Sequence, residues 1–190
     1  MLNRILITGA AGSGKSTLAA GLAEALGCRW SDTDDFYWLP TATPFERKRD
    51  REEQFRLLTG TLSQDGVQIV AGSFSGWGAR ILPFADAVVW IVAPTSLRLK
   101  RIRERQRERF GKAILPRGTM HATHENLLRE AASYDDEHGP GRSLARDAAW
   151  FEGLRCPSIR IDGTAPLEDQ LSAVRSWLAA IGPPKENESQ

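Results

Sequence analysis

Residues 9–17 form a glycine-rich segment whose residue types and spacing are suited to binding phosphate. The segment reads GAAGSGKST and fits the pattern G-x-x-x-x-G-K-[ST] between an apolar run and a segment with helical periodicity. In such a loop, backbone N–H groups and the helix amino end hold phosphate, the lysine contacts the β- and γ-phosphates, and the next hydroxyl binds Mg²⁺. A structural turn without a ligand is the alternative. The predicted nucleotide-binding residues are Gly9, Ala10, Ala11, Gly12, Ser13, Gly14, Lys15, Ser16 and Thr17.

Three aspartates follow the second apolar run in the sequence SDTDDFYW, residues 31–38. In an open parallel sheet, ligands bind beyond the carboxyl ends of the strands. We expect Asp32 and Asp34 to alternate along an extended chain, so that both carboxylates face the phosphate loop. One of them would hold the water shell of Mg²⁺, for which Asp32 is a candidate, and the other would accept a proton from an acceptor hydroxyl. The alternative is that all three aspartates form turns and helix caps.

The three aromatic rings in the same stretch are candidates for lining an acceptor pocket. Phe36, Tyr37 and Trp38 are consecutive, so they cannot easily all point inward, and we expect at least one of them to close the core. A ring that faces the cleft would suit a flat acceptor such as a nucleobase, because aromatic side chains stack on bases.

Residues 98–112 form a strongly basic segment, with eight basic and two acidic residues. Helical spacing puts Arg98, Arg101, Arg105 and Arg109 on one face, which predicts a helix with a cationic exterior. Phosphoryl transfer needs cations where charge spreads over the transferring group, and arginine pairs with phosphate in a bidentate manner. The alternative is a track for a nucleic-acid backbone. The remaining surface is not basic and carries no base-reading motif, so no nucleic-acid partner is expected.

The composition is typical of a globular domain. The 190 residues are 41% hydrophobic and 26% charged, with a net charge of +1, which is compatible with a packed core. The amino-terminal MLNRILITGA lacks the features of a secretory signal, and the apolar runs are far shorter than the roughly 20 residues of a membrane helix. We therefore expect a cytoplasmic protein without a membrane partner.

Short apolar runs alternate with segments of helical periodicity, a pattern typical of βαβ units. The pattern predicts a three-layer α/β/α fold of the P-loop NTPase type with a five-stranded parallel sheet. One domain is expected over residues 1–182, with a helical insertion at about 110–157 and a flexible tail at 183–190. The predicted strands are 4–8, about 29–31, 67–71, 87–92 and 158–161, and the predicted helices begin near residues 15, 49, 95 and 167.

These motifs resemble, in order along most of the chain, the adenylate-kinase and shikimate-kinase group of P-loop kinases. GAAGSGKST resembles the group's phosphate loop, and DTD at 32–34 resembles the shikimate-kinase DxD beside Mg²⁺ and the acceptor. AGSFSGWG at 71–78 resembles the segment that contacts the acceptor. ADAVVWIVAPTSLRLKRIRER at 85–105 is similar to the fourth strand and arginine-bearing helix, and IDGTAP at 161–166 to the loop beside adenine. DDFYWLPTATPFERKR also resembles a bacterial branch of topology-modulation or adenylate-kinase-like proteins.

The resemblance implies roles for further residues. Gly163 would lie beside adenine, and Ser73 and Trp77 would line the acceptor pocket with the three rings. Kinases of this group supply arginines from the end of the basic helix and from a mobile lid after it, which here would be the insertion at about 110–157. Closure of such a lid excludes water. The candidate arginines near the transferred phosphate are Arg101, Arg105, Arg142 and Arg146.

Departures from the group leave the acceptor open. The adenylate-kinase signature DGxPR is absent, since Ser73-Phe74-Ser75 stands in its place, and the shikimate-kinase arginine and triple-glycine signatures are missing. The fourth strand has no acid at its carboxyl end, because Asp86 lies at its start. Asp32 and Asp34 are therefore the predicted magnesium-side carboxylates.

The combined prediction is a kinase that moves the γ-phosphoryl group of ATP, with Mg²⁺, to a small acceptor. The acceptor would be a nucleoside monophosphate, a nucleoside or another small hydroxyl compound, and the protein would be a monomer or homodimer. The alternative is a nucleotide-binding switch or DNA-associated regulator with slow ATP hydrolysis. A polynucleotide end kinase is a further possibility.

Overall fold

The computed structural model describes residues 2–74, 80–136 and 142–182. Five strands in this part of the chain form one parallel sheet, which confirms the predicted α/β architecture. They are β1 (Arg4–Gly9), β2 (Arg29–Asp32), β3 (Gln68–Gly72), β4 (Ala87–Val92) and β5 (Ser158–Asp162). Their order across the sheet is β2-β3-β1-β4-β5, and each strand bound lies within one residue of its prediction.

Seven α-helices connect or follow these strands in the described residues. The sequence pattern predicts α1, α3, α4 and α7, but not the short α2. None of the described helices is both long and apolar enough to span a bilayer. The helices are α1 (Lys15–Leu26), α2 (Thr33–Tyr37), α3 (Arg51–Leu62), α4 (Thr95–Phe110), α5 (His121–Ala132), α6 (Leu144–Glu152) and α7 (Leu167–Ile181).

Two hydrophobic cores, one on each face of the sheet, make the three layers. On one face Leu18 and Leu22 of α1, with Val174 of α7, pack on alternate residues of β1 and its neighbours. On the other face Leu58 and Leu62 of α3 pack on the opposite set, joined by partly buried side chains of α6. Because successive residues of a strand face opposite sides, the short apolar strands supply both cores.

All five strands run in the same direction, so their carboxyl ends meet at one edge of the sheet. The segments that follow β1, β2, β3 and β5 therefore come together although they are far apart in sequence. These four segments contain most of the residues that the sequence singles out. Asp86 lies at the other edge, before β4, where it accepts hydrogen bonds from the backbone N–H groups of Asn3 and Arg4, both at 2.9 Å.

Candidate active site

The phosphate loop, residues 9–17, has a tight shape that depends on close backbone contacts. Gly12 has φ = 79°, and a Cβ atom there would overlap the backbone carbonyl of Arg98 at the start of α4. Gly14 has φ = 108° and precedes the first residue of α1, so the loop leads directly into the amino end of that helix. Both glycines adopt left-handed conformations that other residues rarely accept. The result is the strand, loop and helix arrangement in which backbone N–H groups bind phosphate.

The loop that follows β5 packs against the phosphate loop. The Gly163 N–H donates to the carbonyl of Val92 at 2.7 Å. A Cβ atom at Gly163 would lie 2.9 Å from the carbonyl oxygen of Ser13, so a side chain there would push the two loops apart. The structure thus brings Gly163 next to the predicted nucleotide-binding residues.

Ser16 and Asp32 form the junction between the phosphate loop and the aspartate stretch. The Ser16 hydroxyl donates to Asp32 Oδ2 at 2.8 Å. The other carboxylate oxygen of Asp32 accepts from the N–H of Asp34 at 3.1 Å, and the N–H of Asp32 donates to the Asp35 carboxylate at 3.2 Å. Asp32 is therefore both the partner of Ser16 and the N-cap of α2.

This capping arrangement corrects the predicted conformation of Asp34. The sequence predicts an extended chain through both carboxylates, but only Asp32 is extended, and Asp34 lies in the first turn of α2. The reason is a reciprocal capping box between Asp32 and Asp35, which stabilises a helix start at this point. Asp34 nevertheless lies close enough to the phosphate loop for its charge to interact with Lys15 and Asp32.

The charges at the site shift the pKa values of Lys15 and Asp34. Burial lowers the pKa of Lys15, and so do the nearby Arg142 and Arg105, whereas Asp32 and Asp34 raise it. Asp34 keeps one side open to solvent, yet the protein packed around its carboxyl group and the charge of Asp32 raise its pKa above the ordinary range of aspartate. Lys15, Arg105 and the Trp38 side chain oppose that rise. A carboxyl with a raised pKa is a stronger base than an ordinary aspartate.

The four candidate arginines differ in their contacts with the phosphate loop. Arg101 donates to the carbonyl of Ser13 at 3.1 Å, and Arg142 donates to the carbonyl of Gly9 at 3.1 Å. Arg105 is exposed on α4, within electrostatic reach of Lys15 and Asp34. Arg146 is exposed on α6, about one turn after Arg142.

Arg98 contradicts the predicted cationic exterior of α4, because its side chain is completely buried. Its guanidinium donates to the carbonyls of Ala93 and Ala131, each at 3.0 Å, and to the Asp135 carboxylate at 2.9 Å. These partners satisfy the charge within the fold, so the Arg98 side chain does not belong to an exposed basic surface. Only its backbone carbonyl packs against the phosphate loop, at Gly12.

A cavity of about 590 Å³ opens beside the aspartates. Three residues of the predicted acceptor wall, Tyr37, Trp38 and Ser73, line it together with Asp34. Phe36 does not, since it packs into the core beneath α3, and this corrects its predicted role in the pocket. Phe36 and Tyr37 lie in α2 and Trp38 is its extended C-cap, so the three rings point in different directions and one is left for the core. Trp77 lies outside the described residues.

Sequence reasoning did not identify four cations that line the same cavity: Lys48, Arg49, Arg51 and Arg80. Arg80 makes a bidentate pair with Glu52 at 2.8 and 2.9 Å, and Arg49 pairs with Glu53 at 2.9 Å. Lys48 lies 5.5 Å from the centre of the Tyr37 ring. The signal is the run ERKRDREE at 46–53, which leads into the first turn of α3 and brings several of these cations to the pocket wall.

Comparisons with known proteins agree with this geometry. Residues 5–114 match the family model described as an AAA domain. The chain is 32% identical over 180 residues to the uncharacterized protein YqaC of Bacillus subtilis (strain 168), covering 95% of this chain and 99% of that protein. It is also 32% identical over 184 residues to the cytidylate kinase of Haloarcula marismortui, covering 91% of this chain and 90% of that protein.

Solved structures show the same fold. The shikimate kinase from Acinetobacter baumannii in complex with shikimate superimposes with a TM-score of 0.59 at 19% identity, covering 95% of each chain. A gluconokinase from Sinorhizobium meliloti 1021 gives a TM-score of 0.52 at 17% identity, covering 94% of this chain and 93% of that one.

The fold, the phosphate loop and these relatives define a nucleotide-binding P-loop kinase that acts on a small substrate. The chain belongs to the family of the matching AAA-domain model and, among P-loop kinases, to the adenylate-kinase and shikimate-kinase-like group. The predicted resemblance is therefore confirmed.

Proposed function

We propose that the protein transfers the γ-phosphoryl group of ATP, with Mg²⁺, to a small anionic acceptor. The observation that carries this proposal is the position of Asp34. Asp34 lines the cavity beside the aspartates, and its charge interacts with Lys15 of the phosphate loop. One side chain thus connects the place for the phosphate donor with a cavity large enough for a small acceptor.

The residues present fit ATP and Mg²⁺. The glycine-rich loop and the amino end of α1 form a cradle that a Cβ atom at Gly12 would disrupt, and Lys15 adds a positive charge. Ser16 and Asp32 supply hydroxyl and carboxylate oxygens, the ligand types that Mg²⁺ prefers. Bound Mg²⁺ neutralises charge on the phosphates, while Lys15 and the loop amides orient them for transfer.

The cavity beside Asp34 suits an acceptor that carries negative charge. Lys48, Arg49, Arg51 and Arg80 line it, and although Arg49 and Arg80 pair with Glu53 and Glu52, the cations outnumber Asp34 among the lining residues. Tyr37 and Trp38 offer ring surface. Asp34 would take the proton from a hydroxyl of the acceptor as the phosphoryl group arrives, and its raised pKa favours that role. A sugar acid or another hydroxylated carboxylate combines these features.

A second candidate acceptor is a nucleoside monophosphate. The relatives named cytidylate kinase support it, since they match most of the chain. A phosphate acceptor is already a nucleophile at neutral pH and needs no base. The two candidates therefore differ in whether Asp34 is essential.

We further propose that residues 110–157 act as a lid that carries Arg142 and Arg146 over the donor phosphates. Arg101 and Arg105 would approach from α4, so that the transferring group is surrounded by cations. The contacts of Arg101 and Arg142 with the phosphate-loop backbone support this arrangement. Exclusion of water by the lid would limit hydrolysis of ATP.

The test is ADP formation from Mg·ATP by the purified protein in the presence of single acceptors. The panel contains CMP, AMP and UMP as phosphate acceptors, gluconate and shikimate as hydroxyl acceptors, and cytidine as an uncharged control. Lys15→Ala serves as the inactive reference, and Lys100→Ala, an exposed lysine on α4, as its matched control.

We expect stimulation by an anionic compound, no stimulation by cytidine, and loss of the signal in Lys15→Ala. Stimulation by cytidine alone would contradict the anionic acceptor. A flat panel above slow, Lys15-dependent hydrolysis would contradict the kinase acting on these acceptors and favour a nucleotide-dependent switch.

A further inference from the structure

Arg142 is held against the phosphate loop by a buried carboxylate. Its Nε donates to Asp147 Oδ1 at 3.3 Å, and its Nη2 donates to Asp147 Oδ2 at 2.5 Å and to the carbonyl of Gly9 at 3.1 Å. The Asp147 side chain is only 3% exposed, whereas that of Arg142 is 28% exposed. Arg142 is therefore held by a buried carboxylate, while part of its own side chain stays exposed to solvent beside the loop.

Tyr134 fixes the carboxylate from the other side. Its hydroxyl donates to Asp147 Oδ2 at 2.7 Å, and its ring lies 5.7 Å from the Arg142 guanidinium. Burial, together with the neighbouring Asp147, raises the pKa of Tyr134, so the hydroxyl stays protonated and continues to donate. Both oxygens of Asp147 are thus engaged, and the carboxylate has little freedom to rotate.

Arg98 connects this network to the phosphate loop. The Arg98 guanidinium lies 4.9 Å from the Tyr134 ring and bonds to Asp135, the next residue along the chain. Gly12 packs on the backbone carbonyl of Arg98. Buried Arg98 therefore contacts both the segment that holds Asp147 in place and the phosphate loop that Arg142 contacts.

We infer that Tyr134 and Asp147 are positioning residues that orient Arg142 toward the transferring phosphoryl group. The inference rests on the proposed function, in which Arg142 stabilises charge that develops during transfer. Misplacement of such a group by about 1 Å costs roughly 100-fold in rate, so its supports matter although they touch no substrate. The resemblance to known kinases points to lid arginines but assigns nothing to these two residues.

The test compares a ground-state ligand with a mimic of the transfer step and needs no acceptor. Calorimetry on the full chain measures the affinity for Mg·AMP-PNP and for MgADP with aluminium fluoride, which imitates the transferring group. We expect Asp147→Asn to weaken binding of the mimic about 10- to 100-fold and Tyr134→Phe to weaken it about 2- to 10-fold. Binding of Mg·AMP-PNP should change by less than about 2-fold, because uniform binding does not depend on the transfer geometry.

A double-mutant cycle separates positioning from general damage to the fold. In the Arg142→Ala background, Asp147→Asn should cause no further loss, because its effect passes through the arginine. Asp86→Asn is the matched control: it removes a partly buried carboxylate beside Arg4 at the opposite edge of the sheet, so it should not affect mimic binding. Tyr134→Phe preserves the ring and serves as the test if Asp147→Asn unfolds.

Equal losses for both ligands, or the same loss with and without Arg142, would overturn the inference. A silent Arg142→Ala would also overturn it, since there would be nothing to position. The kinase function would still stand in that case if ADP formation depends on Lys15 and an acceptor, so the two failures are distinguishable.

Discussion

The two sides of the site are built in different ways. On the phosphate side, contacts are made largely by backbone: Gly12 lies on the Arg98 carbonyl, and Gly163 lies against the carbonyl of Ser13. On the acceptor side, the cavity wall consists of side chains, and its charged groups, such as Arg80 with Glu52, are paired at the surface. The phosphate side is therefore fixed by backbone packing, whereas the side chains of the acceptor wall can be replaced one at a time.

This difference explains why the class of reaction is clear and the acceptor is open. A polyphosphate is the same ligand in every P-loop kinase, so a backbone cradle suits the whole class. Acceptors differ in shape and charge, and specificity requires side chains whose replacement leaves the fold intact. Asp34 belongs to both sides, since it lines the cavity and interacts with Lys15.

The largest expected effect is at this shared residue. With a hydroxyl acceptor, Asp34→Asn should lower kcat about 100-fold or more, because the base is lost, while calorimetric affinity for Mg·AMP-PNP stays unchanged. Asp65→Asn, in the exposed turn before β3, is the control carboxylate. With a phosphate acceptor the loss of kcat should be small, and a small loss with a hydroxyl acceptor would contradict the base assignment.

The pH dependence of kcat/KM tests the same role of Asp34 as a base. An ordinary aspartate has a pKa of about 3.9. Since the pKa of Asp34 is raised above that value, Asp34 becomes protonated, and so loses its basic form, at a higher pH than an ordinary aspartate does. The value of kcat/KM should therefore rise with pH through the raised pKa and fall as pH decreases below it. In Asp34→Asn this acidic limb should disappear, and its persistence would assign the limb to another group.

The two sides also differ in how far sequence predicts them. The phosphate loop is contiguous, so its motif and neighbouring periodicities predict strand, loop and helix together. The helical position of Asp34 was missed, although Asp32 and Asp35 have the spacing of a capping box. The burial of Arg98 depends on Ala131 and Asp135, which lie 33 and 37 residues away, and no local pattern reveals such partners.

An intermediate effect is expected at the backbone contact of the phosphate side. Gly12 and Gly66 both have φ = 79°, but a Cβ atom at Gly66 meets no atom within 4 Å. Gly66→Ala should therefore cost only the backbone strain, about 1 kcal/mol. Gly12→Ala should cost about 1–3 kcal/mol more because of the overlap with Arg98, and it should also weaken Mg·AMP-PNP binding. Urea unfolding and calorimetry measure both effects, and equal stability of the two variants would contradict the close approach.

The smallest expected effect lies at the rim of the acceptor cavity. Lys48 is exposed and lies over the Tyr37 ring, so Lys48→Met keeps the length of the side chain while removing its charge. We expect the acceptor KM to rise about 2- to 5-fold, the range of an exposed ion pair, with kcat and nucleotide affinity unchanged. Lys100→Met on α4 is the matched control. The difference should shrink in about 1 M salt, where the screening length falls to roughly 3 Å, and a salt-independent rise in KM would mean that Lys48 acts by packing against the acceptor.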